Sequence, residues 1–571
     1  MNDRMNSIKP KSHKIAYFTM EIGLTPEIPT YSGGLGVLAG DMIRSAADLE
    51  VPLVAVTLLT RKGYFRQQFD EHGKQIDTPH PWKIRDYLKP CSGSVTISIE
   101  GRTVRVKAWQ HTVCGITGCP VRVVFLDTDV AGNAPQDRQL SQRLYGGDEQ
   151  YRLGQEIVLG MGGVKTLRAL GYTHIECFHM NEGHAALLLL ELFNEELART
   201  GARSLGKSHI EQVRRKTVFT THTPVPAGHD HFPLKLARRM IGPHPIWGKK
   251  KQWCHENTLN MTYLALSYSR YINAVAEKHG EVSRDMFPAY TIDSITNGVH
   301  AGTWTGKPIQ TLLDRHLPNW QQDNGRLRYA VSIPKEALHK AHQRSKQQLI
   351  THIRRVHKRT LDVDVFTIGF ARRATAYKRA NLIFKNISQL QRVAAKAGRI
   401  QLVFAGKAHP KDLEGQDLIQ EIIGLSQSLT GDVSVVYLSN YDMDLAKVII
   451  PGVDLWLNTP MRPLEASGTS GMKAALNGVP SLSILDGWWI EGCVENVTGW
   501  AIEGRSAARA QQSDRADATA LYRKLEKVIL PMFYHDQEQY LGIMRNALAL
   551  NGSFFNTQRM VRDYQAKAYR C

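Results

Sequence analysis

A chain of 571 residues, 42% hydrophobic and 22% charged, can bury more than one core and falls outside the disordered and fibrous classes. No apolar run reaches the roughly 20 residues of a membrane-spanning helix. Residues 1–14 are polar and basic without an apolar core, so a cytoplasmic protein with no leader and no membrane partner is expected. The net charge of +19 would help gather anionic phosphate substrates; a nucleic-acid partner would rest on charge alone and is not expected.

In chain order, IAYFTM, VPLVAVTLL, VRVVFLD, HIECFHM and TVFTTH read as strands of the first half. VTISIEGRTVRVKAW (95–109) alternates with period two around Glu100 and Gly101, which predicts a hairpin. VFTIGFA, IQLVFAG, VSVVYL, DLWLN and SLSIL read as strands of the second half, with helical stretches between them. Strands alternating with helices predict an α/β fold with mostly parallel sheets. The break lies between Asn297 and Lys335, where Gly, Pro and Trp punctuate the chain. Two Rossmann-like domains facing a cleft are expected, divided as 1–300 and 301–571. Just beyond that break, 335–359 holds eight Lys or Arg against one Glu. Leu338, Ala341, Leu349, Ile353 and Val356 recur at roughly helical spacing there, which predicts an amphipathic helix with a solvated basic face.

Seven cysteines, at 91, 114, 119, 177, 254, 493 and 571, include no pair with two-residue spacing. Reduced thiols are expected. His222, His229 and His231 cluster in THTPVPAGHDH, but the proline-rich spacing fits no helix or ribbon ligand set, so no metal is expected. His184 in NEGH reads as a capping or core histidine, and Trp488 and Trp489 as packing residues.

Three loops carry chemistry. In YSGGLGVLAGD (31–41), Gly33, Gly34 and Gly36 precede a helix with Leu35, Leu38, Met42 and Leu49 on one face. A glycine turn feeding a helix N-terminus presents amides to an anion, although a plain tight turn reads the same way. In FARRATAYKRANLIF (370–384), Arg372, Arg373, Lys378 and Arg379 crowd the end of a strand, which suits a phosphate. In RPLEASGTSGMKAALNG (462–478), a flexible run leads into a short helix stopped by Asn477 and Gly478. Lys473 sits in its first turn, where a cation opposes the dipole unless an anion is held nearby. A lysine so placed can also form an imine with an aldehyde cofactor.

Together these loops resemble those of α-glucan phosphorylases. The likeness extends through FHMNEGHAALLLLELF, SITNGVHAGTW, VFAGKAHP, NYDMDLAKVIIPGVDLWLN and LDGWWIEG, and is strongest to the short bacterial and archaeal branch. The resemblance implies a glycosyltransferase B-type fold. The implied reaction is phosphorolysis of α-1,4-glucan by inorganic phosphate to α-glucose 1-phosphate with retention. It also implies pyridoxal 5'-phosphate, held as an imine on Lys473, whose phosphate rather than ring does the work. Arg372, Thr469, Ser470 and Gly471 would hold the cofactor phosphate, with Trp304 packed by its ring. Arg373, Lys378 and the Gly34 amide would hold substrate phosphate, Gly33 lying in the same turn. Tyr377, Glu465, Ser467, Gly468 and Asn297 would contact the terminal glucose, with His222 in polar contact with the sugar.

Dimers are usual in that family, and a homodimer is the assembly it suggests. Nothing matches the phosphorylation or nucleotide-effector sites of the animal enzymes, so no such regulation is expected. Three positions depart from the animal and plant pattern. An ungapped match sets Arg270 where those enzymes have a glucose-contacting histidine. Thr375 stands for a second histidine of the phosphate loop, and Gly471 for an asparagine before the lysine. The nearest rival is a nucleotide-sugar glucosyltransferase, which lacks a lysine in a GTSGMK setting. A silent glucan-binding protein is the rival of another class.

Overall fold

The expected strands form where β-branched and aromatic runs are bounded by turn residues. Leu53–Leu58, Phe366–Ala371 and Ile400–Ala405 are buried at every position, as parallel sheets covered on both faces require. The structure is a computed structural model that describes residues 13–225, 228–429, 431–503 and 514–570. Residues 226–227 of the His222–His231 segment, residues 1–12 and Cys571 therefore lie outside the described residues.

The chain divides into two compact units. One comprises Met1–Tyr64, Pro79–Thr296 and Met560–Cys571; the other comprises Phe65–Thr78 and Asn297–Arg559. The expected single boundary near 300 thus misses two exchanged segments. The first is a hairpin, Arg66–Phe69 with Gln75–Thr78, tied into the second unit by side-chain amides. Gln67 donates to the Gly406 carbonyl at 2.8 Å, and Gln75 to that of Ala408 at 2.9 Å. The second is the chain's end, where the Tyr569 hydroxyl meets His179 Nδ1 at 2.7 Å and Asn273 donates to the Tyr564 hydroxyl at 3.1 Å. Neither attachment has a local sequence signal, because hydrogen-bond partners hundreds of residues apart leave no periodicity.

In the first unit a nine-stranded sheet is centred on Ile15–Thr19. Leu53–Leu58 and then Pro120–Asp127 lie on one side, and Cys177–Asn181, Thr217–Thr220, Tyr271–Ala274 and Asp293–Ser294 on the other. All these neighbours are parallel. The expected hairpin is appended antiparallel at the edge as Lys89–Ile99 and Arg102–Cys114. Its turn is Glu100–Gly101 with φ of 52° and 73°, the left-handed pair that a two-residue hairpin turn demands.

The second unit has a six-stranded, all-parallel sheet. Phe366–Ala371 is flanked by Ile400–Ala405 and Val433–Leu438 on one side, and by Leu455–Asn458, Ser481–Ile484 and Gly499–Ile502 on the other. In both units the first strand sits centrally, with its next two partners to one side and the fourth strand to the other. This is the Rossmann order, and it opens a crevice beyond the carboxyl ends of the first and fourth strands.

The basic run forms the helix Lys335–His357, with one departure from expectation. Lys346 is not on a solvated face: it is fully buried, with Nζ 2.6 Å from Asp454 Oδ2, which His342 joins through Oδ1 at 2.8 Å. A buried carboxylate needs such partners, and helical spacing carried these two polar residues onto the face with Leu338, Ala341 and Leu349. Val356, expected on that face, is exposed.

Candidate active site

In the second unit the crevice at the strand-order reversal lies between the loops that follow Ala371 and Asn458. Arg372 is the first residue beyond its strand, and its Nη1 donates to Asn458 Oδ1 at 3.0 Å. Its Nη2 donates to Glu465 Oε2 at 2.7 Å, and Lys378 Nζ reaches the same oxygen at 2.5 Å. Burial lowers the Lys378 ammonium, Arg372 adds to that, and Glu465 opposes both. Burial by itself would raise the Glu465 carboxyl, but Arg372 and Lys378 hold it ionised. Below it, Asp486 accepts the Glu465 and Gly487 amides, each at 2.9 Å, and burial raises its carboxyl to about 6. Tyr377 lies under the Lys378 ammonium, 4.4 Å from Nζ to ring centroid. Arg379, counted with the loop's cations, is otherwise engaged. It donates to the Thr459 and Pro460 carbonyls and pairs with Asp517 at 2.8 Å, bracing the neighbouring loop instead of facing the crevice.

Lys473 lies in the helix Ser470–Ala475. Its buried ammonium sits 3.5 Å from the centroid of the Trp304 ring. Asn477 makes this pairing rigid. Its Nδ2 donates to the carbonyls of both Trp304 and Lys473 at 2.8 Å, while its Oδ1 accepts the Gly306 amide at 2.6 Å. Ser470 Oγ accepts from Trp456 Nε1 at 3.0 Å. A Cβ on Gly471 would stand 2.8 Å from Trp488 Cζ2. The glycine therefore makes room for the indole, which explains why a larger residue is absent there. Trp488 and Trp489 are buried, with the Phe555 ring 4.7 Å from that of Trp488, so they pack. Gly468 has φ of 74°, which a side chain would strain. Thr469 caps the short helix without a side-chain bond. Arg373 is exposed beside Arg372.

Among the described residues of this unit, the buried polar atoms without a protein partner include four around this crevice: Arg372 Nε, Thr375 Oγ1, Ser467 Oγ and Asn297 Oδ1. Buried polar atoms are rarely left so. These four belong to the loop from Arg372 to Arg379, the loop before Lys473, or the segment that leads to Trp304.

The first unit repeats the design with different chemistry. Its crevice lies between the loops after Thr19 and Asn181, and a carboxylate begins each. Glu21 Oε2 accepts the Ser32 amide at 2.6 Å and the Gly33 amide at 3.2 Å. The glycine turn thus already carries an internal anion, with Gly34 opening the helix Gly34–Asp48. A Cβ at Gly34 would meet nothing within 4 Å, whereas at Gly36 it would stand 2.7 Å from Glu21 Oε2 and at Gly40 2.0 Å from the Gly23 carbonyl. Close packing therefore requires Gly36 and Gly40; Gly34 faces open space.

Glu182, at φ of 75°, accepts the Gly183 and His222 amides at 3.0 and 2.8 Å and the Thr223 hydroxyl at 2.9 Å. His222 Nε2 meets Asn181 Oδ1 at 2.7 Å, and burial lowers its imidazole to about 4. His184 does more than fill the core, lying 3.0 Å from Asp230 Oδ2, which also binds Arg152 at 2.8 Å.

Arg270 does not belong to this group. It precedes the strand Tyr271–Ala274, at its amino end, and donates to the Arg215 and Ala568 carbonyls. The ungapped match therefore misled. The histidine that reaches the crevice is His279, buried at the start of the helix Glu277–Met286. Burial lowers it to about 4, the Thr223 backbone works against that, and His222, Glu182 and His229 are its titratable neighbours. The motif NAVAEKHG held the signal, but only the strand's direction reveals which end faces the crevice.

Among the described residues no three His, Cys, Asp or Glu are grouped to hold a metal, and no helix is long and apolar enough to cross a membrane. The six described cysteines are free.

Residues 250–568 match the family described as carbohydrate phosphorylase. The chain belongs to this family. The maltodextrin phosphorylase of Thermococcus litoralis is 36% identical over 97% of this chain and 70% of its own length. The glycogen phosphorylase of Aquifex aeolicus is 34% identical over 97% of this chain and 86% of its own. An uncharacterized protein of Methanocaldococcus jannaschii is 31% identical over 97% of this chain and 99% of its own. The family match spans the whole Arg372–Lys473 crevice and the Trp304 segment, and its members are generally pyridoxal-phosphate-dependent.

Proposed function

We propose that this chain is an α-glucan phosphorylase, releasing terminal glucose from α-1,4-glucan as α-glucose 1-phosphate with retention. The observation that carries the reading is a buried lysine amine over an indole face, beside a crevice with two buried cations and several unpartnered polar atoms. These residues fit pyridoxal phosphate: Lys473 would carry it, Trp304 would cover its ring, and Arg372, Thr469, Ser470 and Gly471 would hold its phosphate. Arg372 Nε, which lacks a protein partner, is a donor suited to that anion. When bound, the cofactor supplies a second phosphate able to share a proton with the substrate phosphate.

The chain's own groups do the rest. Arg373 and Lys378 bind and neutralise substrate phosphate. Glu465, held ionised by Arg372 and Lys378, orients those cations and accepts from sugar hydroxyls, alongside Tyr377, Ser467, Gly468 and Asn297. In the first unit Gly33, Gly34 and His222 bind substrate oxygens. His222 stays neutral well below neutral pH, so it serves as a hydrogen-bond partner and not as a cation. Because Lys378 and Arg373 keep phosphate on the face it protonates from, they account for retention without a protein carboxylate pair.

The test is glucose 1-phosphate release from maltodextrin and inorganic phosphate, run beside Lys473→Ala. We expect phosphate-dependent release that the variant loses by at least about a thousandfold. Release from a nucleotide-sugar donor instead, or equal activity in the variant, would overturn the reading.

A further inference from the structure

The glycine turn of the first unit is held by a device outside the groups already assigned. Tyr145 lies in RLYGGD with φ of 53°, a left-handed conformation that costs a non-glycine residue on the order of 1 kcal/mol and persists only where its surroundings enforce it. Two contacts enforce it. The phenol hydroxyl donates to Glu21 Oε1 at 3.0 Å, and the ring lies against the Arg152 guanidinium, 4.5 Å from centroid to Cζ. Glu21 turns its other oxygen to the Ser32 and Gly33 amides. Arg152 in turn binds Asp230 and His184. One tyrosine therefore connects the carboxylate that shapes the glycine turn to the ion-pair group beside Glu182 and His222.

We propose that Tyr145 is a positioning residue for the glycine turn: its hydroxyl fixes the Glu21 carboxylate, which holds the Ser32 and Gly33 amides, so that the next amide, that of Gly34, is presented to substrate phosphate. A carboxylate with one oxygen on the amides and the other held only by the Ser32 hydroxyl, at a long 3.3 Å, could still rotate about its last torsion, which is broad. The phenol removes that freedom. Gly36 makes room for the carboxylate in that position, since a Cβ there would stand 2.7 Å from Glu21 Oε2.

The inference rests on the phosphorylase reading, and Tyr145→Phe separates the two. The variant keeps the ring on Arg152 and loses only the hydrogen bond. We expect hydrogen–deuterium exchange of a 31–38 peptide to rise about tenfold, with strands Ile15–Thr19 and Leu53–Leu58 unchanged. We also expect KM for phosphate to rise about tenfold with kcat within threefold, the scale of one hydrogen bond to a charged group. Unchanged exchange at 31–38, exchange raised across the strands, or a loosened turn with unchanged KM would each overturn the proposal. A wild-type enzyme without phosphorolysis would instead sink the functional reading, and the exchange arm would still decide whether the phenol holds the turn.

Discussion

The two crevices share one topology and differ in how their charges are settled. In the first unit the glycine turn looks from sequence like an anion site, yet Glu21 already takes the Ser32 and Gly33 amides. In the second unit Glu465 also sits on the cations, but Arg372 Nε, Thr375 Oγ1 and Ser467 Oγ remain without protein partners. Self-satisfied donors shape a loop, whereas buried donors and acceptors without partners mark where a ligand's atoms belong. The unpartnered atoms beside those cations are the ground for proposing the cofactor phosphate there, while the Gly34 amide remains the first unit's proposed contact to substrate phosphate.

Lys378→Ala tests that assignment most severely. It should lower phosphorolysis about 10²–10³-fold, as removal of a preorganised charge stabiliser does, and a loss under threefold in steady-state assays would move the phosphate elsewhere. Next in size, Glu465→Gln leaves Arg372 and Lys378 buried without their counter-charge, which costs about 3–5 kcal/mol. Inorganic phosphate should restore a substantial part of the lost Tm by binding those cations. A Tm that does not respond to phosphate would show that the carboxylate's partners are not the phosphate site.

Acid should split the units. Burial lowers His222, His279 and His244 each to about 4, so the unfolded chain binds more protons than the native one between about pH 4 and 6.5. These three histidines should cost the first unit several kcal/mol across that window as pH falls, offset in part by the buried Glu156 carboxyl, which burial raises. In the second unit Asp486, raised to about 6, works the other way. Its penalty is present above pH 6 and relieved towards pH 4, a gain of about 2–3 kcal/mol. Exchange at pD 5 and 7, corrected for intrinsic rates, should show the first unit's peptides loosening more, and equal loosening would refute the split. The smallest effect is expected from Arg270→Ala. Its guanidinium serves carbonyls at the amino end of a strand, so kcat/KM for maltodextrin should stay within about twofold, and a tenfold fall would reinstate it as a sugar contact.

Much of this was legible beforehand. The strands at Ile15–Thr19, Leu53–Leu58, Phe366–Ala371 and Ile400–Ala405, the hairpin turned at Glu100–Gly101 and the basic helix follow from periodicity and turn chemistry, which are local. The cation-rich loop at the end of Phe366–Ala371 and the short helix of Lys473 were legible because glycine turns and cations at strand ends are contiguous in the chain. What the sequence determined by itself is therefore the class of fold, the family and the loops to which the chemistry is assigned by proposal. Tertiary structure alone decided the partners of each charge. Glu21 closes the glycine turn, Glu465 bridges Arg372 and Lys378, Arg379 turns away to Asp517, Lys346 goes inward to Asp454, and His279 rather than Arg270 reaches the crevice. Those outcomes depend on which residues, tens to hundreds of positions apart, arrive within 3 Å of one another in a site where charges cannot stay unpaired. Spacing along the chain does not carry that information.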